Sequence, residues 1–366
     1  MNGHTVPPHG GNLYAAMRQQ GDSSQELLDF SANINPLGLS ESIRQNLMAS
    51  LESIIHYPDA QSYALTQELS HYYQVDPEGI TIGNGAVELM YILCHMLKPK
   101  RILVTAPTFS EYEAAGKASG ASIEYFSLRE TEGFTIEIDK LAKQLAHIDI
   151  VFLCNPNNPT GTLLRKSEIE KLLIAAKVHQ TYVVVDESFI DFLTNEDDYT
   201  CRPLLKRYPN LIILHSLTKF YAIPGLRLGF SLASPEITKK LHLGKDPWNV
   251  NTLAQNAGVV ALQDFPYQKQ SKEYIKVANQ DLYKDLQKIP GLKPYVPSVN
   301  FILINCKDTG MTSTELQKAM ASYHILIRDC SNYPGLSSDY IRIAVKNPTQ
   351  NTILLTTLGK IIGEIK

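Results

Sequence analysis

The 366 residues suffice for one large domain plus a smaller one, and a 44% hydrophobic content supplies material for a core. A formal net charge of −3, with acidic and basic residues interspersed, leaves no electrostatic footprint for nucleic acid. The five cysteines are scattered without a C-x-x-C pair, which argues against a disulfide framework or a metal site and for reduced thiols.

In chain order, the opening MNGHTVPPHGGN lacks the basic start and apolar run of a signal peptide. No apolar stretch approaches the roughly 20 residues that span a bilayer. A soluble, cytoplasmic protein with no membrane association is therefore expected. Residues 1–45 are too irregular to stand alone and are expected to pack with a small C-terminal domain. Between about residues 80 and 235, β-rich runs alternate with helical stretches such as Val87–Leu97 and Lys166–Val178. The runs are Arg101–Thr105, Ser122–Phe126, Ile148–Cys154, Tyr182–Asp186, Leu211–His215 and Leu228–Leu232. Runs such as IVFLC, YVVVD and LIILH are apolar on both faces, as in a parallel sheet covered by helices on both sides. The fold class is α/β, with a mainly parallel central sheet in a large domain over 46–265. A smaller α+β domain over 266–366 holds strands near Asn300–Asn305, Ile325–Arg328 and Tyr340–Val345 and a C-terminal helix. Ligands of such a sheet lie at the carboxyl ends of its strands.

Five strand-end segments carry residues with chemistry. Lys219, in Ser216-Leu-Thr218-Lys219, follows the apolar strand Leu211–His215. An ammonium is expensive to desolvate there, and a Schiff base removes part of that cost. Alone, the segment reads as a loop lysine. Its neighbours Ser216 and Thr218 offer hydroxyls suited to a phosphate, and Arg227 in Gly225-Leu-Arg227-Leu-Gly229 offers a bidentate grip. Asp186 ends Val183–Asp186; it suits a protonated ring nitrogen, a helix cap or a metal, although further clustered metal ligands are missing. Asn155-Pro-Asn-Asn158-Pro-Thr-Gly161 reads as a turn in a ligand-loop position, with Asn158 able to donate to a phenolic oxygen. Gly83-Asn84-Gly85-Ala86 opens a helix, whose N–H groups form a weak anion site. Phe109, in Pro107-Thr-Phe109, is either a core aromatic or a stacking partner for a flat ring. Together they suit one planar phosphorylated cofactor.

The order GNGAVEL, PTF, NPNNPTG, VVVDES, SLTK, GLRLGF resembles fold-type I pyridoxal 5'-phosphate (PLP) enzymes, specifically the histidinol-phosphate aminotransferase-like group, across most of the chain. The resemblance implies the aspartate aminotransferase-like fold, with PLP on Lys219, Asp186 on its ring nitrogen and Asn158 on its O3'. Gly85, Ala86, Ser216, Thr218 and Arg227 are implied at the phosphate, and Phe109 over the ring. It also implies a homodimer in which Tyr57, from His56-Tyr57-Pro58-Asp59, reaches the partner's site. Many relatives read D-E-x-Y where this chain has Phe189, which leaves O3' mainly to Asn158.

Within the group, His9-Gly10-Gly11-Asn12 and Asp29-Phe-Ser31-Ala-Asn33-Ile-Asn35-Pro-Leu-Gly38 are similar to the threonine-phosphate decarboxylase branch, which serves cobalamin biosynthesis. That implies a small phosphorylated amino acid as substrate, L-serine O-phosphate being the nearest variant. Arg328 and Arg342 match the group's substrate arginines. His9, Ser31, Asn33, Asn35 and Asn158 are further candidates at the substrate. The alternatives are an aminotransferase of the histidinol-phosphate type and, more remotely, a non-catalytic regulator. An intact Lys219, Asp186, Asn158 and Arg227 count against the last.

Overall fold

The computed structural model describes residues 10–20 and 27–364. His9 lies outside the described residues. Two units are distinguished: Leu37–Asn158 with Thr162–Glu273, and the remainder, comprising the N-terminal residues to Pro36, Pro159–Gly161 and Tyr274–Lys366. The divisions fall at 36/37 and 273/274, against an expected 45/46 and 265/266. The helix Phe265–Leu286 runs unbroken through the second division, so no loop marks it in the sequence.

β1 (Leu28–Asp29) belongs to the smaller unit. The larger unit holds β2 (Ile80–Gly83), β3 (Arg101–Ala106), β4 (Ser122–Ser127), β5 (Ile150–Cys154), β6 (Tyr182–Asp186), β7 (Leu211–Ser216) and β8 (Gly229–Leu232). These form one seven-stranded sheet in the order β2-β8-β7-β6-β5-β3-β4. The run from β7 to β4 is parallel, whereas β8 is antiparallel to both β7 and β2. Every residue of β5 and β7 is buried, as expected of strands covered on both faces. Each fully buried Leu, Ile, Val or Phe contributes about 1.5–3 kcal/mol of burial free energy.

The edge strand β2 is missing from the sequence reading. Its four residues, Ile-Thr-Ile-Gly, run straight into the glycine turn and are too short to show a period. The smaller unit pairs β1 in parallel with β11 (Ile325–Leu326) and holds a second sheet in the order β12-β13-β10-β9. These are β12 (Arg328–Asp329), β13 (Tyr340–Ala344), β10 (Phe301–Asn305) and β9 (Lys293–Pro294). The single strand expected over 325–328 is therefore two strands in two sheets, broken at Ile327.

Candidate active site

In the larger unit, β7 delivers Lys219. Ser216 ends that strand, and its Oγ accepts from the Thr218 N–H at 3.4 Å, capping the short helix Leu217–Phe220. The Lys219 Nζ lies 3.2 Å from Ser216 Oγ, and Ser216 Oγ lies 2.8 Å from Thr218 Oγ1. Both hydroxyl residues are buried, so two hydroxyls and one ammonium converge at one strand end. Phe189 is buried too, and its ring centroid is 5.3 Å from Nζ. The position that is tyrosine in many relatives thus presents an apolar ring, with a cation–π contact, to the lysine.

The neighbouring glycines make the cradle. Gly85 has φ +85° and caps the helix Ala86–Leu97; a Cβ there would lie 2.5 Å from Arg227 Nη2. The exposed Arg227 therefore reaches over a helix N-terminus that only glycine leaves open. A Cβ on Gly229 would lie 2.4 Å from the Ala86 nitrogen, so β8 must also be bare where it passes that helix start. Glu88 accepts from the Asn84 N–H at 2.7 Å and from Asn249 Nδ2 at 2.7 Å, which pins the turn from outside.

On β6, Asp186 is 3% exposed. Its Oδ1 accepts from the Ser188 N–H at 2.9 Å, and its Oδ2 accepts from the Tyr112 hydroxyl at 2.7 Å. Burial, reinforced by the Asp186 charge, holds the Tyr112 hydroxyl well above its usual range, so it keeps its proton and donates. Beside Asp186 in the parallel register stands Cys154, whose thiol burial pushes up to about 12. Cys154 is therefore an un-ionised packing residue.

In the asparagine loop two of the three amides are spent on scaffolding. Asn155 is bonded to both the N–H and the carbonyl of Leu164, each at 2.9 Å. Asn157 donates to the Pro107 carbonyl at 3.0 Å and accepts from Thr108 Oγ1 at 2.7 Å, tying this loop to the one that carries Phe109. Asn158 is buried, at 7% exposure. Near the same strand ends lies a buried and partly buried polar network that the sequence did not reveal. His215 lies 3.4 Å from Asp191, Glu187 accepts from the Cys201 N–H and Thr200 Oγ1, and Arg202 pairs with Glu196 at 3.1 Å. Burial raises the Asp191 carboxyl, but His215, Lys272 and Arg202 outweigh it and hold it below the ordinary value.

The smaller unit carries the two candidate arginines on adjacent strands, with Arg328 opposite Arg342 in the antiparallel register. Both are buried. Arg328 Nη2 donates to Asn332 Oδ1 at 2.7 Å and its guanidinium stacks over Tyr333. Arg342 Nη2 donates to the Ser31 carbonyl at 2.8 Å. The Ser31 hydroxyl itself donates to Asp29 Oδ1 at 2.6 Å and accepts from the Gly11 N–H at 2.8 Å. Its proton is thus committed to Asp29 in this arrangement, and what Ser31 visibly does is anchor the backbone of Gly11. Asn33 accepts from Asn300 through its carbonyl, while its own Oδ1 is buried with no hydrogen-bond partner among the described residues. Asn35 is buried as well.

A buried acid, a strand-end lysine and a glycine-lined cradle of two hydroxyls and a guanidinium are what PLP requires, and these residues fit it. The chain belongs to the family Aminotransferase class I and II, which matches residues 25–358. It is a PLP-dependent enzyme with an aspartate aminotransferase-like fold. Among curated relatives, it is 39% identical to the threonine-phosphate decarboxylase of Salmonella typhimurium, over 98% of this chain and 97% of that one. It is 36% identical to the adenosylcobalamin biosynthesis bifunctional protein CobDQ of Leptospira interrogans, over 97% of this chain and 41% of that longer one. Histidinol-phosphate aminotransferases also match, at 28–33% identity. The crystal structure of L-threonine-O-3-phosphate decarboxylase from Porphyromonas gingivalis superposes with a TM-score of 0.82, at 29% identity, over 92% of this chain and 100% of that one. Among the described residues no helix is long and apolar enough to cross a membrane.

Proposed function

We propose that this chain decarboxylates L-threonine O-3-phosphate to (R)-1-amino-2-propanol O-2-phosphate in cobalamin biosynthesis. The observation that carries the reading is the match over nearly the full length to the Salmonella decarboxylase, 39% identical against 28–33% for the aminotransferases. The N-terminal segments His9–Asn12 and Asp29–Gly38 point the same way. When bound, PLP supplies an electron sink for the bonding pair released at Cα.

The chain's own residues have separable tasks. Lys219 holds the cofactor and, after the carboxylate leaves, it or a water returns a proton to Cα. Asp186 keeps the ring nitrogen protonated, and Asn158 donates to O3'. Gly85, Ala86, Ser216, Thr218 and Arg227 hold the cofactor phosphate, and Phe109 covers the ring. Arg328 and Arg342 take the substrate's anions, because guanidinium forks match carboxylate and phosphate alike. Asn33 is a further candidate at the same ligand. His9, Ser31 and Asn35 belong to the same N-terminal wall.

Orientation decides the reaction. Arg328 and Arg342, by gripping the substrate's other substituents, would decide which bond at Cα is presented for cleavage, that to the carboxylate for decarboxylation or that to hydrogen for transamination. An exposed apolar group of Met48, Leu51, Ile54, Ile55 and Tyr57, each at least 50% exposed, supports a homodimer in which Tyr57 serves the partner's cofactor phosphate. We read the enzyme as cytoplasmic.

The test is product analysis with PLP and L-threonine O-phosphate in the absence of any oxo acid, with L-serine O-phosphate in parallel. Carbon dioxide and aminopropanol phosphate are expected. Turnover only with 2-oxoglutarate and histidinol phosphate would make the chain an aminotransferase instead.

A further inference from the structure

We propose that Tyr112 is a positioning residue that fixes the rotation of the Asp186 carboxylate, so that the carboxylate is held ready for the cofactor's protonated ring nitrogen. The inference rests on the PLP reading of the site. Tyr112 and Asp186 are 74 residues apart in sequence, and their side chains meet at 2.7 Å inside the core. The tyrosine ring is fully buried, stacked on Phe152 at 5.0 Å and 8°, and in edge contact with Phe109 at 5.7 Å. The ring therefore has almost no freedom, and its hydroxyl reaches Asp186 from a fixed direction, with the Cys154 thiol beside it.

The hydrogen-bond arithmetic gives the hydroxyl its effect. An ionised carboxylate offers about four lone-pair sites. Ser188 N–H occupies one on Oδ1 and Tyr112 O–H one on Oδ2, which sets the rotation of the group. Both bonds are donated to the carboxylate, and together they hold it in one orientation. A carboxylate free to rotate would hold the ring N–H less well, and an unprotonated ring is a poorer sink. Phe109 and Tyr112 thus stand three residues apart with related duties, one over the ring and the other behind its acid.

Tyr112→Phe is the appropriate variant, since it keeps the ring packing on Phe152 and Phe109 and removes only the hydroxyl. Three readings on wild type and variant test it: PLP affinity of the apoprotein, the ¹⁵N chemical shift of ring-labelled PLP in the reconstituted protein, and steady-state kinetics. The expected result is about tenfold weaker PLP binding, matching one hydrogen bond to a charged group. The nitrogen resonance should move toward unprotonated pyridine, and kcat should fall about tenfold with KM within about twofold. An unchanged nitrogen shift overturns the inference, whether or not thermal stability falls, because a merely structural hydroxyl leaves that shift alone. Failure of the wild-type apoprotein to bind PLP would instead overturn the cofactor reading beneath it.

Discussion

The strand-end pocket of the larger unit and the arginine pair of the smaller unit are built on different plans. In the first, the lysine is placed by its immediate neighbours, while Asp186 also takes a bond from Tyr112, 74 residues away. Ser216 caps the four-residue helix that carries Lys219, and Gly85 opens the helix that Arg227 overhangs. In the second, placement comes from distant segments. Arg342 is held by the carbonyl of Ser31, 311 residues away, and Arg328 faces it across a strand pair. On the proposed roles, the first region serves the cofactor, and the second serves the substrate from a wall assembled from the chain's two ends. The difference implies that cofactor binding and substrate choice can be damaged independently.

The largest effect should come from the first region. Lys219→Ala removes the amine proposed to hold PLP and to return the proton to Cα, so kcat/KM should drop by at least about 10³-fold. The borohydride-reducible linkage should vanish while the fold persists by circular dichroism. In the second region, Arg342→Lys keeps the charge but loses the planar fork. KM for the phosphorylated amino acid should rise about 10- to 100-fold, in keeping with loss of a charge-assisted bidentate contact. The visible band of lysine-bound PLP should be unchanged. A loss of cofactor in this variant would show that the two regions are not separable.

The same contrast explains what could be read from the sequence. The apolar runs of β5, β6 and β7 and the residues just after them are contiguous in the text, so sheet and cradle were both legible. Tyr112 was not, because nothing local distinguishes a tyrosine that donates to Asp186 from one that fills a core. The use of Asn155 and Asn157 as scaffolding was hidden for the same reason. In the smaller unit the arginines were visible only through family resemblance. Their setting, including the break at Ile327 that divides one expected strand between two sheets, depends on pairings with β1 and β13 that no local pattern encodes. His215 with Asp191 belongs to this hidden class too.

The smallest effect tests whether the scaffold under Arg328 can be loosened without touching the larger unit. The next residue, Asp329, accepts from Ser313 Oγ at 2.7 Å, Thr314 Oγ1 at 2.6 Å and the Ser331 N–H at 2.8 Å. It thereby ties β12 to the start of the helix Ser313–Ala321. Partial burial raises its carboxyl, but the bonds from Thr314, Ser331 and Ser313 outweigh that, and the net direction is downward. A carboxyl lowered in the folded state stabilises fully above its unfolded value of about 3.9. That contribution is lost as pH falls through the folded value. Asp329→Asn should therefore lower stability by about 1 kcal/mol near neutrality, where the charged acceptor is missing. The gap to wild type should close toward acid pH, as the wild-type carboxyl is protonated. Denaturant unfolding at several pH values would show it. If the gap is constant across pH, Asp329 acts through shape rather than charge. If the variant also lowers PLP affinity, the independence of the two regions fails at its weakest point, whereas a raised KM with normal cofactor binding would confirm that Arg328 depends on its own sheet alone.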